Sequence, residues 1–234
     1  LGSLLIYVMF GTIICARLGH VFFYEWDQYS QNPIEIFKVW EGGWASHGGT
    51  IGVIIAVILF SKFTTHRNVI WTLDRLAIAV AMVAGLIRLG NLFNHEIFGY
   101  ATDMPWAFCF IDNIRAWQAG AEPIFTAPSH PTQIYEALCY FALFGLMMWL
   151  YWKKNAQERP GLLLGIFFTW VFGTRFFIEF VKNNQVAWEE SMTLNMGQWL
   201  SIPFVLAGIG LIIYAMRRPA IHIDFPNRFA DEKK

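Results

Sequence analysis

Apolar residues run along this chain in six long windows, at 2–24, 44–63, 75–93, 130–152, 161–181 and 197–216, with polar connections between them. A helix needs about 20 mostly apolar residues to cross a bilayer. The pattern therefore predicts an all-α, polytopic membrane protein with six transmembrane helices. The longest connection, 94–129, carries Pro105, Pro123 and Pro128 together with Trp106, Phe108, Phe110 and Trp117. That composition predicts a lid or interfacial segment outside the cytoplasm, not a disordered linker. With no internal repeat and no low-complexity stretch, one transmembrane domain over 1–234 is the simplest organisation.

The charges in the connections alternate in type. Lys62, Arg67 and Arg75 lie at and between the facing ends of the second and third windows, Lys153, Lys154 and Arg159 follow the fourth, and Arg217, Arg218, Arg228, Lys233 and Lys234 follow the sixth. The other connections hold Glu25, Asp27, Glu35 and Glu41, then Asp103, Asp112 and Glu122, then Glu189 and Glu190. Basic connections stay in the cytoplasm. Both termini are thus expected there, with the acidic connections outside.

On this topology the polar residues inside the windows gather at the outer ends. Arg17 and His20 lie near the end of the first window; Ser46, His47, Gly48 and Gly49 open the second; Arg88, Asn91 and Asn94 close the third. His130, Thr132, Gln133, Tyr135 and Glu136 open the fourth, Arg175 and Glu179 close the fifth, and Gln198 and Ser201 open the sixth. The inner stretches 53–60, 76–86 and 137–150 hold no Asp, Glu, Lys, Arg or His. Arg88 falls about 8 Å short of its helix end at 1.5 Å per residue. Ionisable groups at that depth mark function unless they are buried ion pairs or arginines reaching for headgroups.

The wider composition adds little beyond the membrane class. Of 234 residues, 56% are hydrophobic and 15% charged, and the formal net charge is zero, so there is no basic field for nucleic acid. Cys15, Cys109 and Cys139 form no metal or redox spacing. The stretch 2–24 is too long for a signal-peptide core and has no small-residue cleavage site. The chain opens on Leu1, not Met, and a preceding segment is expected. The pairs Gly48 and Gly52, and Gly161 and Gly165, read as small-residue helix packing.

Two or three arginines in a partly dry site suit a phosphate, since the guanidinium fork matches phosphate oxygens and is always charged. In a bilayer the available phosphate is a phospholipid headgroup. A histidine near neutrality suits a general base, and His47, followed by Gly48 and Gly49, is the best placed. Three readings fit these residues: an enzyme acting on a phospholipid, a transporter or channel, and a non-enzymatic lipid-binding protein.

The run Gly85-Leu-Ile-Arg88-Leu-Gly90-Asn91-Leu-Phe93-Asn94-His-Glu96-Ile-Phe-Gly99 resembles the signature of the bacterial phosphatidylglycerol:prolipoprotein diacylglyceryl transferases. So, in the same order, do Ala16-Arg17-Leu-Gly-His20 with Tyr24, Ser46-His47-Gly48-Gly49, His130-Pro131-Thr-Gln133-Ile-Tyr135-Glu136, Arg175-Phe176 with Glu179-Phe180, and Gly197-Gln198. Ile87 stands where the signature has glycine and Leu92 where it has phenylalanine. The resemblance covers essentially the whole chain. It implies a family of seven spans, the first of which is absent from this sequence.

It also implies an activity: transfer of the diacylglyceryl group of phosphatidylglycerol to the lipobox cysteine of a prolipoprotein signal peptide, at the outer face of the bacterial cytoplasmic membrane. On that basis His47 is expected as base, and Arg88 and Arg175 as the phosphate clamp. Asn91 and Asn94 are expected as neutral donors, Glu96, Glu136 and Glu179 as partners of the arginines, and Arg17 as a lesser phosphate contact. Gly99, His130, Gln133, Tyr135 and Gln198 complete the expected substrate-binding set. Neither metal nor cofactor is expected, because arginines supply the positive charge and the nucleophile belongs to the substrate.

Overall fold

A computed structural model of the chain describes residues 2–38, 40, 42–183 and 194–221, and only the backbone of Gln28, Ser46 and His47. Glu41, Glu189, Glu190, Arg228, Lys233 and Lys234, used above for topology, lie outside the described residues. The elements are α1 (Gly2–Phe23), α2 (Trp26–Gln31), α3 (Ser46–Phe60), α4 (Val69–Phe93), α5 (Ile114–Gln118), α6 (Thr132–Lys153), α7 (Leu162–Ile178) and α8 (Met196–Arg217). No strand occurs among the described residues, only isolated bridges within the 94–129 connection and beside it.

Among the described residues five helices are long and apolar enough to cross a bilayer: α1, α3 with its continuation to Thr65, α4, α6 and α8. The fifth of the six expected spans, α7, is a shorter apolar helix of 17 residues, about 25 Å at 1.5 Å per residue. It is trimmed at both ends. Gly161, at φ 97°, is its N-cap, and beyond Ile178 the chain turns out of the helix. Large apolar side chains stay exposed along the helices, among them Leu5 at 68%, Leu138 at 62% and Leu206 at 63%. In water such faces would drive aggregation; in lipid they are the outer surface.

The chain forms two compact units, Leu1–Leu73 and Asp74–Lys234. In the first, α1 and α3 lie side by side. They approach closely because a Cβ on Gly48 would run into the Cys15 carbonyl, and one on Gly52 into the Gly11 carbonyl. That bears out the small-residue packing read from the sequence. A single π-helical turn, Ser61–Thr65, ends α3 and is tied to α4 by a 2.6 Å hydroxyl bond between Ser61 and Thr72.

In the second unit α7 and α8 pack along each other. A Cβ on Gly165 would stand 2.8 Å from the Gly208 carbonyl, and Phe172 and Phe204 stack with centroids 4.3 Å apart. Gly161 does not share this role. It supplies the left-handed turn before α7, and its N–H donates to Asp74 Oδ2 at 2.7 Å, while Leu164 N–H donates to Asp74 Oδ1 at 2.8 Å. A carboxylate on α4 thus caps α7, whose own N-cap residue has no side chain to do so. The 94–129 connection is folded around Phe110, which is 1% exposed, stacks on Phe98 at 4.7 Å and meets the edge of His95.

Candidate functional site

The third apolar window ends as α4 ends, and the signature residues sit on its last turn and the bend beyond. Arg88 leaves α4 toward α6, where its Nε lies 2.8 Å from Glu136 Oε2. Glu136 is fully buried, one turn into α6. The contact is an ion pair without an aligned hydrogen bond. Arg88 Nη1 also donates to Asn91 Oδ1 at 3.4 Å, Asn91 Nδ2 donates to Glu96 Oε1 at 2.6 Å, and Asn94 Nδ2 reaches the same oxygen at 3.4 Å. Arg88, Asn91, Asn94, Glu96 and Glu136 therefore form one connected polar cluster.

The bend that carries Glu96 is held in an unusual shape. His95 and Ile97 have φ of 54° and 60°, a conformation that costs a β-branched isoleucine in particular. The start of α6 fixes it: Gln133 Nε2 donates to the Glu96 carbonyl at 2.7 Å and Thr132 Oγ1 to the Ile97 carbonyl at 2.9 Å. Gln133 and Thr132 are both fully buried. Gly99 follows, donating its N–H to the His130 carbonyl at 2.9 Å. A side chain there would strike the Val181 carbonyl and stand 2.8 Å from His130 Cβ and Thr132 Cγ2. Gly99 is thus required by close approach of backbone. His130 Nδ1 lies 3.2 Å from the Tyr135 hydroxyl, which accepts from Trp106 Nε1 at 2.8 Å and so ties the 94–129 connection to α6.

Arg175 is on the last turn of α7, and its Nε is buried with no hydrogen-bond partner among the described residues. Its charge nonetheless acts on Glu136, along with those of Arg88, Lys182 and Glu179. Glu179 caps the C-terminal end of α7 and is 9% exposed. Its carboxylate abuts Gly197, where a Cβ would stand 2.6 Å from Oε1. Gln198 completes a capping box with Asn195 at the start of α8, and its Nε2 reaches the Phe176 carbonyl at 3.3 Å. Its hydrogen bonds hold α8 and tie that helix to α7 beside Arg175.

In the other unit Arg17 is 4% exposed and held at each of its three nitrogens. Its Nε donates to Ile36 O at 3.0 Å, Nη1 to Gly42 O and Nη2 to Glu35 O at 2.6 Å each, and it lies over the Tyr29 ring. These contacts clamp the loop between α2 and α3. His20 Nε2 is 3.2 Å from Glu25 Oε2. His47 stands in the first turn of α3, but its side chain lies outside what is described.

One residue of the cluster escaped the sequence reading. Lys182, 2% exposed, sits 3.8 Å from Glu136 Oε1 and 3.7 Å from Glu179 Oε2. The signal available was its i, i+3 spacing from Glu179, which on its own describes many surface pairs. No group of three or more potential metal ligands of the His, Cys, Asp and Glu type occurs among the described residues.

Residues 1–214 match the family described as prolipoprotein diacylglyceryl transferase. Proteins named phosphatidylglycerol–prolipoprotein diacylglyceryl transferase are similar over most of the chain. The one from Porphyromonas gingivalis is 55% identical over 222 residues, covering 93% of this chain and 78% of the relative. Those from Chloroherpeton thalassium and Tolumonas auensis are 45% and 44% identical, covering 93% and 94% of this chain and 77% and 81% of the relatives.

Proposed function

The chain belongs to the prolipoprotein diacylglyceryl transferase family, and from that premise we propose that it moves the diacylglyceryl group of phosphatidylglycerol onto the lipobox cysteine of a prolipoprotein signal peptide. The reaction forms a carbon–sulfur bond and breaks the bond between the glycerol carbon and the phosphate oxygen. Glycerol 1-phosphate leaves, and the thiol proton passes to a base. Both substrates are membrane-bound, a phospholipid and a hydrophobic helix. The alternation of basic and acidic connections supports a multi-pass arrangement in the bacterial cytoplasmic membrane with the site toward the outer leaflet.

The chemistry asks for cations. A phosphodiester carrying one negative charge becomes a monoester that gains a second, so a positive group bound to phosphate holds the transition state more tightly than the ground state. The observation that carries the reading is the buried Arg175 Nε, a donor without an acceptor among the described residues, in a layer where Arg88 is already held at one edge by Glu136. A buried unpartnered guanidinium N–H is costly, and a phosphate oxygen would satisfy it.

In this reading Arg175 and Arg88 grip the phosphate, and Asn91 and Asn94 donate to the glycerol headgroup. Glu96, Glu136 and Glu179 hold the donors and cations in place, Gly99, Gln133, His130 and Tyr135 shape the bend that carries Glu96, and Gln198 secures α8. Arg17 holds the loop in front of α3, and His47, at the mouth of that helix, takes the thiol proton.

The test is direct. The full-length protein, in nanodiscs with phosphatidylglycerol and a lipobox peptide, is assayed for diacylglyceryl transfer by mass spectrometry beside Arg88→Ala. The peptide gains the diacylglyceryl mass with wild type, and the variant loses at least about 100-fold in rate. Phospholipid binding without any mass shift in a folded wild-type sample would replace the transferase with a protein that only grips headgroups.

A further inference from the structure

Lys182 follows α7 at a point where the chain has left the helix, yet its ammonium group is almost completely buried. The backbone explains how it gets there. Residues 181–183 pair with the signature bend: Gly99 bridges Lys182 in antiparallel fashion, Tyr100 N–H donates to Val181 O at 3.0 Å, and Asn183 Nδ2 donates to Gly99 O at 3.0 Å. This stitch points the lysine at two carboxylates from different elements, Glu136 on α6 and Glu179 at the end of α7.

Charge arithmetic then limits what Lys182 does. Glu136 is shared between Arg88 and Lys182; Glu179, among the ion pairs of the described residues, meets Lys182 alone. Glu96, joined to Arg88 only through Asn91, is exposed to solvent; the rest of the cluster, with Arg175, has three cations and two buried carboxylates, so one positive charge is in excess there. Without the lysine the balance is even, and Glu179 becomes a buried anion whose nearest remedy is Arg175, four residues earlier on the same helix. The arginine would then face a carboxylate in place of a phosphate.

We infer that Lys182 is a positioning residue of the transfer site: it neutralises Glu179 and shares Glu136, and thereby keeps the guanidinium of Arg175 open to the lipid phosphate. The inference rests on the transferase reading. It assigns Lys182 no contact with substrate; it acts through Glu179 and Arg175.

The experiment compares wild type, Lys182→Met, Lys182→Arg, Glu179→Gln and the double variant Lys182→Met/Glu179→Gln in the same transfer assay, with monodispersity in size exclusion as the check on folding. Lys182→Met loses about tenfold or more in rate, and Lys182→Arg, which keeps the charge, stays within about threefold of wild type. In the Glu179→Gln background the lysine is no longer needed for that carboxylate, so Lys182→Met costs less than about threefold. Should Lys182→Met alone fail to fold, the double variant still folds, because the unpaired anion is gone.

An active wild type with full activity in Lys182→Met overturns the inference alone. So does an arginine variant as impaired as the methionine, an equal cost in both backgrounds, or an aggregated double variant. A silent, well-folded wild type overturns the transferase reading and this inference with it.

Discussion

Two buried carboxylates in the unit Asp74–Lys234 answer different needs. Asp74, near the start of α4 and fully buried, accepts one N–H on each oxygen from the first turn of α7. Its demand and the demand of that helix end are met together. Glu136, equally buried near the start of α6, is surrounded by cations at 2.8 and 3.8 Å, with neither oxygen in an aligned hydrogen bond among the described residues. Close by, Arg175 keeps an Nε without a partner among the described residues. A satisfied buried charge holds a fold, whereas a cluster with positive charge and donors left over is ready for an anion.

The contrast can be broken at several points. Gly99→Ala inserts a methyl group into the seam between the signature bend and residues 181–183. It should shift both Glu96 and Lys182 and lower transfer by about 100-fold, read in the mass-spectrometric assay, because misplacement of about 1 Å has that effect. Asp74→Ala leaves two N–H groups of α7 without an acceptor. The expected loss is about 2–3 kcal/mol in thermal or denaturant unfolding, with activity per folded molecule little changed.

Smaller effects belong to packing and capping. Gly208→Ala places a methyl group 2.5 Å from Thr169 Oγ1 and 2.8 Å from the Gly165 carbonyl. It should cost about 1–2 kcal/mol of stability by forcing α7 and α8 apart. Asn195→Ala removes half of the α8 capping box, worth about 1 kcal/mol in the same measurement. Activity that fell as steeply in Asn195→Ala as in Gly99→Ala would erase the distinction between scaffold and site.

The helices were legible because apolar length alone announces a span; α4 ends at Phe93, where its window ended. The cluster of Arg88, Asn91, Asn94 and Glu96 was legible because its members are close in sequence and sit at a depth where polarity is expensive. What was hidden depends on tertiary pairing. Lys182 looks like an interfacial lysine until the chain turns back on Gly99, and its second partner, Glu136, is far away in sequence. Asp74 lies beside Arg75 in what reads as a cytoplasmic connection, and only the approach of Gly161 reveals it as a cap.

Gly161 itself was grouped with Gly165 by spacing, although its φ of 97° gives it a different function. Gln198, expected in the substrate-binding set, spends its hydrogen bonds on the capping box and on Phe176. A polar residue at a helix start can serve either purpose, and composition does not separate the two.

The most direct test of the distinction puts Arg175→Gln and Asp74→Asn side by side, measuring diacylglyceryl transfer per folded molecule together with thermal unfolding. On this account Arg175→Gln unfolds like wild type and loses at least about 100-fold in transfer, while Asp74→Asn unfolds earlier and keeps its activity within about threefold. Transfer that survives in Arg175→Gln and collapses in well-folded Asp74→Asn would contradict it.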